Sequence, residues 1–486
     1  MYKTFFFLSS LLLSPHVSAA DPELKADLVQ RRQAVMEGMD KRGMLILFSA
    51  DSAHYSGDVD YEFRQENNLY YLTGIRQPNT TLVLMPQNSS RKEFLFLSAR
   101  NPERELWNGT TLSPEEAREI SGIETVWNAS EFDSFIDSVL YGSPYRSDGS
   151  RSSEYQDFFT DLQEGDVDIF FLLESKPGLT GEIREEFQFA NRLRDRFTGI
   201  RVKDSSPIFH QLRMIKSPYE IKQLQKAIDI TIEALSEAMK SIHPETWEYE
   251  VEAVIEYVFK KRNSFDWAFP SIVASGPNAT TLHYQKSQRQ TQDDDLLLMD
   301  VGAEFNYYAA DITRTIPVGG KFTTAQATIY QLVLDAQKAA IAVVRPGSSL
   351  RTINQAAVEV LKEGLHRLGL ITDKTSNQYR VFFPHGVSHF LGLDVHDVRH
   401  GEVLKTNMVL TVEPGIYIRS DSIQRLANQG VNEKDLESIR PAVEKFLNIG
   451  VRIEDDVRVT PTGFEVLSDG APREILEVEA MIMSNN

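Results

Sequence analysis

The stretch from Leu296 to Thr315, LLLMDVGAEFNYYAADITRT, decides how the rest of the chain is read. Its two ends are apolar and β-prone, and Ala303 to Tyr307 between them reads as a turn, so the pattern predicts a β-hairpin. With Phe305-Asn306 as a two-residue turn, Asp300 and Asp311 lie directly opposite each other on one face, their Cβ atoms roughly 4.5–5.5 Å apart. Two carboxylates held side by side repel each other. Either they share a proton, which raises one pKa, or they bind a cation, and a hard divalent ion suits such a pair. The plain alternative is a surface hairpin whose aspartates are solvated.

Composition limits what surrounds this hairpin. A chain of 486 residues is too long for one ordinary core, so two domains are expected. With 41% hydrophobic and 25% charged residues it has the make-up of a folded, soluble protein. A formal net charge of −19 argues against nucleic acid or an anionic membrane surface as a partner. Lys3, the apolar run Thr4 to Leu13 and the small residues Val17-Ser18-Ala19 read as a cleaved signal peptide over residues 1–19, which implies a secreted or periplasmic protein. With no cysteine anywhere, disulfides and thiolate metal sites are excluded, and a bacterial origin fits best. The Asn-x-Ser/Thr sequons at Asn79, Asn88, Asn108, Asn128 and Asn278 leave a eukaryotic secretory origin open.

From residue 20 to about 204 the pattern alternates between helices and fully apolar strands, which reads as an α/β domain with a mixed, mostly buried sheet. A charged helix from Asp21 to about Lys41 comes first. Strand-like runs follow at Met44–Phe48, Leu69–Leu72, Thr81–Met85, Phe94–Leu97 and Asp168–Leu173. Ser113-Pro114-Glu115-Glu116 is a helix start, with Ser113 as N-cap and proline at the first helical position. Another helix is expected over Glu131–Val139, and Tyr141–Ser153, rich in Ser, Gly, Arg and Pro, reads as an exposed loop. The second domain is expected to run from 205 to 486. It begins with a turn cluster and a long amphipathic helix after Ser217-Pro218, and it closes in strand-rich sequence around Val409–Glu413, Gly415–Ile418 and Gly450–Thr460.

Four histidines crowd into one short segment, His385, His389, His396 and His400, with Gly386 and Gly392 allowing close backbone approach. Scattered ones such as His54, His210, His243 and His366 read as surface or satisfied core residues. Two further carboxylates interrupt apolar strands. Glu413 ends Val409–Val412 and is followed by Pro414-Gly415, and Glu454 shares a strand face with Arg452. A strand end or a structural ion pair would account for either alone. Two Asp, one His and two Glu in such settings instead make an oxygen-rich site suited to Mn²⁺, or to Zn²⁺ or Co²⁺.

In the order Asp300, Asp311, His389, Glu413, Glu454, within MDVG, ADITRT, HGVSHFLGLDVHD, VEPG and RIEDD, the chain resembles the pita-bread metallopeptidases. It is most similar to the aminopeptidase P (Xaa-Pro aminopeptidase) group, with prolidase close behind. FRQENNLYYLTGI, in the first domain, resembles that group's amino-terminal segment. The resemblance implies a catalytic domain of pita-bread fold holding two divalent ions. Asp300 would bind one, His389 and Glu413 the other, and Asp311 and Glu454 both, with a bridging water that attacks the scissile carbonyl. It also implies that Glu413 carries a proton to the leaving nitrogen. His283 and His396 would contact substrate, His385 would belong to the pocket, and Arg452 would orient Glu454 or a substrate group. Trp107 resembles a tryptophan that reaches a neighbouring subunit's pocket in oligomeric members, which implies a dimer or tetramer. His400 matches nothing and is left to the surface.

The implied substrate is a peptide with proline at its second position. Prolidase activity on Xaa-Pro dipeptides is the nearest alternative, and Ser388 before His389 leans away from it. A metal-free, catalytically inactive peptide-binding module is the distant one, disfavoured because all five ligand positions are kept. Methionine aminopeptidase and creatinase-like chemistry fit less well. The charged segment from Ser420 to Phe446 is long for the group and is expected to form a surface excursion near the site mouth, where it would restrict substrate length.

Overall fold

The computed structural model describes residues 21–39, 43–146, 155–173, 184–197 and 199–484. The expected signal peptide and part of the loop over 141–153 lie outside them, and the first helix, expected to reach about Lys41, ends at Gly38 with Met39 as its C-cap. The chain divides into two units, Met1–Phe209 and His210–Asn486.

The first unit is built on a six-stranded mixed sheet. Its spatial order is Thr125–Asn128, Glu93–Leu97, Thr81–Leu84, Gly43–Phe48, Val167–Phe171 and Ile200–Asp204. Gly43–Phe48 runs antiparallel to Thr81–Leu84 and parallel to Val167–Phe171. Both faces are covered, which is why Met44 to Phe48 and Ile169 to Phe171 are apolar without alternation and buried, and the one charge in these strands, Asp168, is paired with Arg201 (2.6 Å) and Lys203 (2.5 Å). Leu69–Leu72 corrects the strand expectation, since it lies inside the helix Asn67–Thr73. Glu66 caps that helix by accepting from the Leu69 N–H (2.7 Å), and Gly74 ends it at φ 67°. Four apolar residues cannot by themselves distinguish a buried helix from a buried strand, and here the caps decide.

The second unit opens with the helix Pro218–Ser241, entered through a capping box between Ser217 and Glu220, followed by Glu248–Lys261. Its strands form small antiparallel sheets, one in the order Ile272–Ser275, Leu296–Val301, Ile312–Pro317. The helices Thr324–Ile341 and Leu350–Arg367 bury Ile329, Val333, Ile353 and Leu361 in a core shared with Leu410, Val412, Val451 and Ile453. Ser420–Phe446 departs from expectation. It forms the helices Ser422–Asn428 and Glu433–Lys445, and these send Leu426, Leu436, Ile439, Val443 and Phe446 into that core. Its charges belong to the outer faces of two amphipathic helices, so the segment is a packed element.

The central hairpin forms with a shifted turn. Asn306 (φ 49°) and Tyr307 (φ 71°) occupy the two tight positions, a turn whose twist suits antiparallel strands. Asp300 therefore pairs with Thr313, and Asp311 falls two residues further along. A two-residue slip keeps side chains on the same face, whereas a one-residue slip would have reversed them. Asn-Tyr is not the Asn-Gly pair by which such turns are read, so the sequence placed the turn one residue early. Gly302 sits at the interruption between Leu296–Val301 and Ala303–Phe305. A Cβ there would lie 1.8 Å from the Ala310 carbonyl oxygen, so the G of MDVG lets the chain pass just before Asp311.

No helix among the described residues is long and apolar enough to cross a membrane.

Candidate active site

A second interrupted ribbon carries the glutamates. Val409–Val412 pairs with Asp455–Val459 and Gly415–Tyr417 with Gly450–Arg452. Val412 faces Asp455 and Gly415 faces Arg452 in the same register, so Glu413 and Glu454 fall opposite each other in the gap. Pro414 enforces the break, since it offers no N–H to continue the ladder. Each interrupted ribbon thus delivers acidic residues to one place.

That place is a cavity of about 490 Å³ within the second unit. Its walls include Asp300, Asp311, His389, Glu413 and Glu454, together with His283, His385, His396, Arg452 and Ser388, so the expected metal ligands and their expected neighbours are brought together. Phe269, Pro270, Ile272, Leu282 and Val395 make an apolar side that sequence reasoning did not single out. His400 lies on the surface, its N–H donating to the Met214 sulfur (2.7 Å). Trp107 stands 84% exposed on the helix Pro102–Asn108 of the first unit. No residue of Ser420–Phe446 lines the cavity.

Asp311, His389 and Glu454 offer one ligand atom each within 4.8 Å of one another. His389 Nδ1 donates to the Phe390 carbonyl (3.1 Å), and its Nε2 is turned to Asp311 Oδ2 (3.3 Å) and Glu413 Oε1 (3.7 Å). Asp300 and Glu413 stand outside this tightest group. Asp300 is paired through Oδ2 with Arg452, while its buried Oδ1 has no hydrogen-bond partner.

Electrostatics mark the same atoms. Burial, reinforced by Asp300, raises the Asp311 carboxyl well above its ordinary range. Glu454 is raised by burial and by Asp311 and Glu413. Burial pushes Glu413 up to about 8, with Asp311 and Asp300 adding to the effect against His389 and Arg452. Carboxyls are raised this way when charge of one sign is gathered out of water without enough of the other. Four carboxyl groups on the wall face one guanidinium, and one buried carboxyl oxygen, Asp300 Oδ1, is unpartnered. Oxygen-rich and joined by one imidazole nitrogen, the cluster fits hard or borderline divalent ions.

The surroundings fix these groups in place. Arg452 donates to Asp300, to Thr313 Oγ1 (3.1 Å) and to the Tyr417 hydroxyl (2.8 Å). Thr313 in turn donates to Glu454 Oε2 (2.7 Å), so Arg452 reaches Glu454 through a threonine. Tyr417 also bonds His385 Nε2 (2.9 Å), whose Nδ1 donates to the Gly386 carbonyl (2.7 Å). Burial and the nearby Arg452 hold His385 down at about 4, hence neutral. Burial, then His389 and His283, likewise lower His396, whose ring centre lies 4.3 Å from that of His389. Behind the ribbon, Gln337 Nε2 donates to the carbonyls just before each glutamate, Val412 (3.3 Å) and Ile453 (3.2 Å), and to Asp455 (2.9 Å). Thr313 was legible in principle, since it lies two residues from Asp311. Tyr417 and Gln337 carried no sequence signal, because their partners lie far along the chain.

Comparison with known proteins agrees with this geometry. Residues 222–461 match the description Metallopeptidase family M24, and residues 28–146 match Aminopeptidase P, N-terminal domain. A Haemophilus influenzae protein named Xaa-Pro aminopeptidase is 34% identical over 468 residues, covering 94% of this chain and 97% of that protein. The chain belongs to metallopeptidase family M24. Among solved structures, the Pseudomonas aeruginosa aminopeptidase PepP superposes on this M24 chain with TM-score 0.80 at 32% identity, over 96% of this chain and 99% of that one. Aminopeptidase P from E. coli with the inhibitor Pro-Leu does so with TM-score 0.79 at 31% identity, over 95% and 98%. The fold is accordingly mixed α/β, an aminopeptidase P-type amino-terminal domain followed by a pita-bread catalytic domain. The protein is a metal-dependent hydrolase.

Proposed function

We propose that this enzyme removes the first residue of peptides whose second residue is proline. The observation that carries the reading is the convergence of four carboxylates and His389 in one cavity where Arg452 is the opposing fixed cation. The relatives add the specificity. One carries the name Xaa-Pro aminopeptidase, and another was solved with Pro-Leu, which begins with proline as the product of such a cleavage does.

In this reading Asp300, Asp311, His389, Glu413 and Glu454 would together hold two divalent ions. Manganese is the ion we favour on the donor set. Bound there, the ions supply Lewis acidity and a water acidified enough to act as nucleophile near neutral pH. Glu413 accepts a proton at its carboxylate and returns one to the proline nitrogen as that bond breaks. His283 and His396 line the cavity as hydrogen-bond donors toward the oxygen of the scissile carbonyl. A neutral His396 does this without adding charge to a site already balanced by cations. Neither needs an N–H on the substrate, which the amide before proline lacks. The peptide's free α-amine is attracted to the carboxylate-rich end, which limits cleavage to the first bond.

Peptides longer than two residues are favoured over dipeptides in this reading, because Ser420–Phe446 sends side chains into the core and none of its residues lines the cavity. Added backbone contacts then supply transition-state binding. The test is kcat/KM for Ala-Pro-Ala against Ala-Pro and Ala-Ala-Ala on manganese-loaded enzyme. Hydrolysis of Ala-Pro-Ala at least as fast as Ala-Pro, with little on Ala-Ala-Ala, is expected. A tenfold preference for the dipeptide, about 1.4 kcal/mol, would make the enzyme a prolidase.

We also propose that the protein is exported, with the mature chain starting at Ala20 or Asp21. Mass spectrometry of the native protein finding Met1 in place would refute this. The exposed Leu106 and Trp107 support self-association, which light scattering of the purified enzyme would detect.

A further inference from the structure

Away from the acidic cluster, the helix Glu248–Lys261 begins with a carboxylate that is 0% exposed. A buried carboxylate is costly unless it is paired or fully hydrogen-bonded. Glu248 is hydrogen-bonded from two ends of one loop. Its Oε1 accepts from the Ser275 N–H (2.7 Å), Ser275 Oγ (2.8 Å) and Asn278 Nδ2 (3.0 Å). Its Oε2 accepts from the Tyr284 hydroxyl (2.8 Å) and the Arg289 N–H (2.9 Å). Arg289's guanidinium is engaged elsewhere, with Asp295 and with Ser275 Oγ (2.8 Å).

The chain between these donors, residues 275–289, carries Leu282, His283 and Gln285 on the cavity wall. Tyr284, between His283 and Gln285, is the residue tied back to Glu248. Much of the segment is irregular, a short 3₁₀ turn at Gly276–Thr280 followed by loop, so no β-ladder fixes where His283 stands. A second constraint comes from Gly450, where a Cβ would lie 2.1 Å from the Ala279 carbonyl oxygen. The loop is thus pressed against the strand that leads to Arg452 and pinned from behind by one carboxylate.

We propose that Glu248 is a positioning residue for His283, gathering the 275–289 loop so that the imidazole is presented to the substrate carbonyl at a fixed distance. This rests on the reading of His283 given above. Glutamine in place of Glu248 keeps the volume but replaces one accepting oxygen by a donating NH₂, so one end of the loop loses its anchor.

The test is a double-variant cycle on the manganese-loaded full chain, measuring kcat and KM for Ala-Pro-Ala together with bound metal and Tm. Glu248→Gln is expected to lower kcat/KM about 10-fold or more with metal content unchanged, the range seen when an outer partner of a site residue is lost. His283→Asn alone should lower it further. If Glu248 acts through His283, the double variant should fall within about twofold of His283→Asn, because coupled residues are not additive. Losses that multiply in the double variant, or an unchanged kcat/KM in Glu248→Gln, would overturn the proposal. Should Glu248→Gln fail to fold, Tyr284→Phe removes a single hydroxyl and takes its place in the cycle, with the same criterion and a smaller loss. Full activity in His283→Asn beside a loss in Glu248→Gln would instead sink the role given to His283, so the two failures are told apart.

Discussion

Two groups of largely buried carboxylates in the second unit behave oppositely. Asp311, Glu413 and Glu454 are raised, whereas Asp397 and Asp455 are lowered. Burial pushes every one of them up. The difference lies in fixed cations. Asp397 is paired with Arg213 (2.6 Å) and Lys216 (2.9 Å), and Asp455 with Arg314 (2.7 Å) and Arg473 (2.6 Å). The site carboxylates share Arg452 among them. At Asp397 and Asp455 the scaffold balances buried charge with fixed cations, and the site leaves a deficit that cations from solution would fill.

The comparison breaks most visibly if a site carboxylate can be neutralised without consequence. Asp311→Asn and Glu454→Gln should each lower turnover by more than the roughly 10–100-fold typical of an outer partner, and each should lower metal content. Near-normal activity with two ions retained in either variant would show that the deficit is not what draws them.

The scaffold side predicts lost stability instead. Asp397→Asn takes the counter-charge from the buried Lys216 and leaves Arg213 with the half-exposed Asp394 (2.7 Å), which should cost about 3–5 kcal/mol in urea unfolding of metal-loaded enzyme. Asp397 also closes the segment between His389 and His396, its N–H donating to the Phe390 carbonyl (2.9 Å). A loss below about 1 kcal/mol, the worth of an exposed pair, would remove the distinction drawn here.

The same pair carries a pH signature of definite sign. The Asp397 carboxyl lies lower in the folded protein than in the unfolded chain, where it is about 3.9. Its contribution is therefore present in full above about pH 5 and is lost as pH falls through the folded value. The stability difference between wild type and Asp397→Asn should shrink below pH 4 and stay flat from pH 6 to 8. A difference that grows on acidification would contradict the assignment.

The smallest effect sharpens the boundary between the groups. Tyr417→Phe removes the hydroxyl linking Arg452 to His385 but no charge. About 1 kcal/mol, or roughly fivefold in kcat/KM, is expected with metal content unchanged. Loss of an ion in this variant would place Tyr417 among the groups that hold the metal.

How far the sequence revealed all this follows from distance along the chain. Asp300, Asp311, Glu413 and Glu454 each interrupt a strand pattern and stand out on local grounds. Thr313 obeys the two-residue period from Asp311 and could have been read from it. The Asn306-Tyr307 turn could not, since tyrosine seldom occupies a left-handed position and the pattern favours its neighbour. The helix at Asn67–Thr73 and the packed helices of Ser422–Lys445 were hidden because short apolar runs and charged faces take their meaning from what lies against them. The pairings Lys216–Asp397 and Arg314–Asp455 join residues separated by more than a hundred positions, and nothing local announces them.

The central claim is that the acidic cluster is a charge deficit completed by divalent ions. It is tested most directly by calorimetric titration of metal-free enzyme with Mn²⁺ at neutral pH in buffers of different ionisation enthalpy. The account predicts two ions per chain and a net release of protons, because carboxyls held protonated by burial must ionise to bind. In Glu454→Gln, both the stoichiometry and the proton release should fall. Binding without proton release, or binding that Glu454→Gln leaves unchanged, would contradict it.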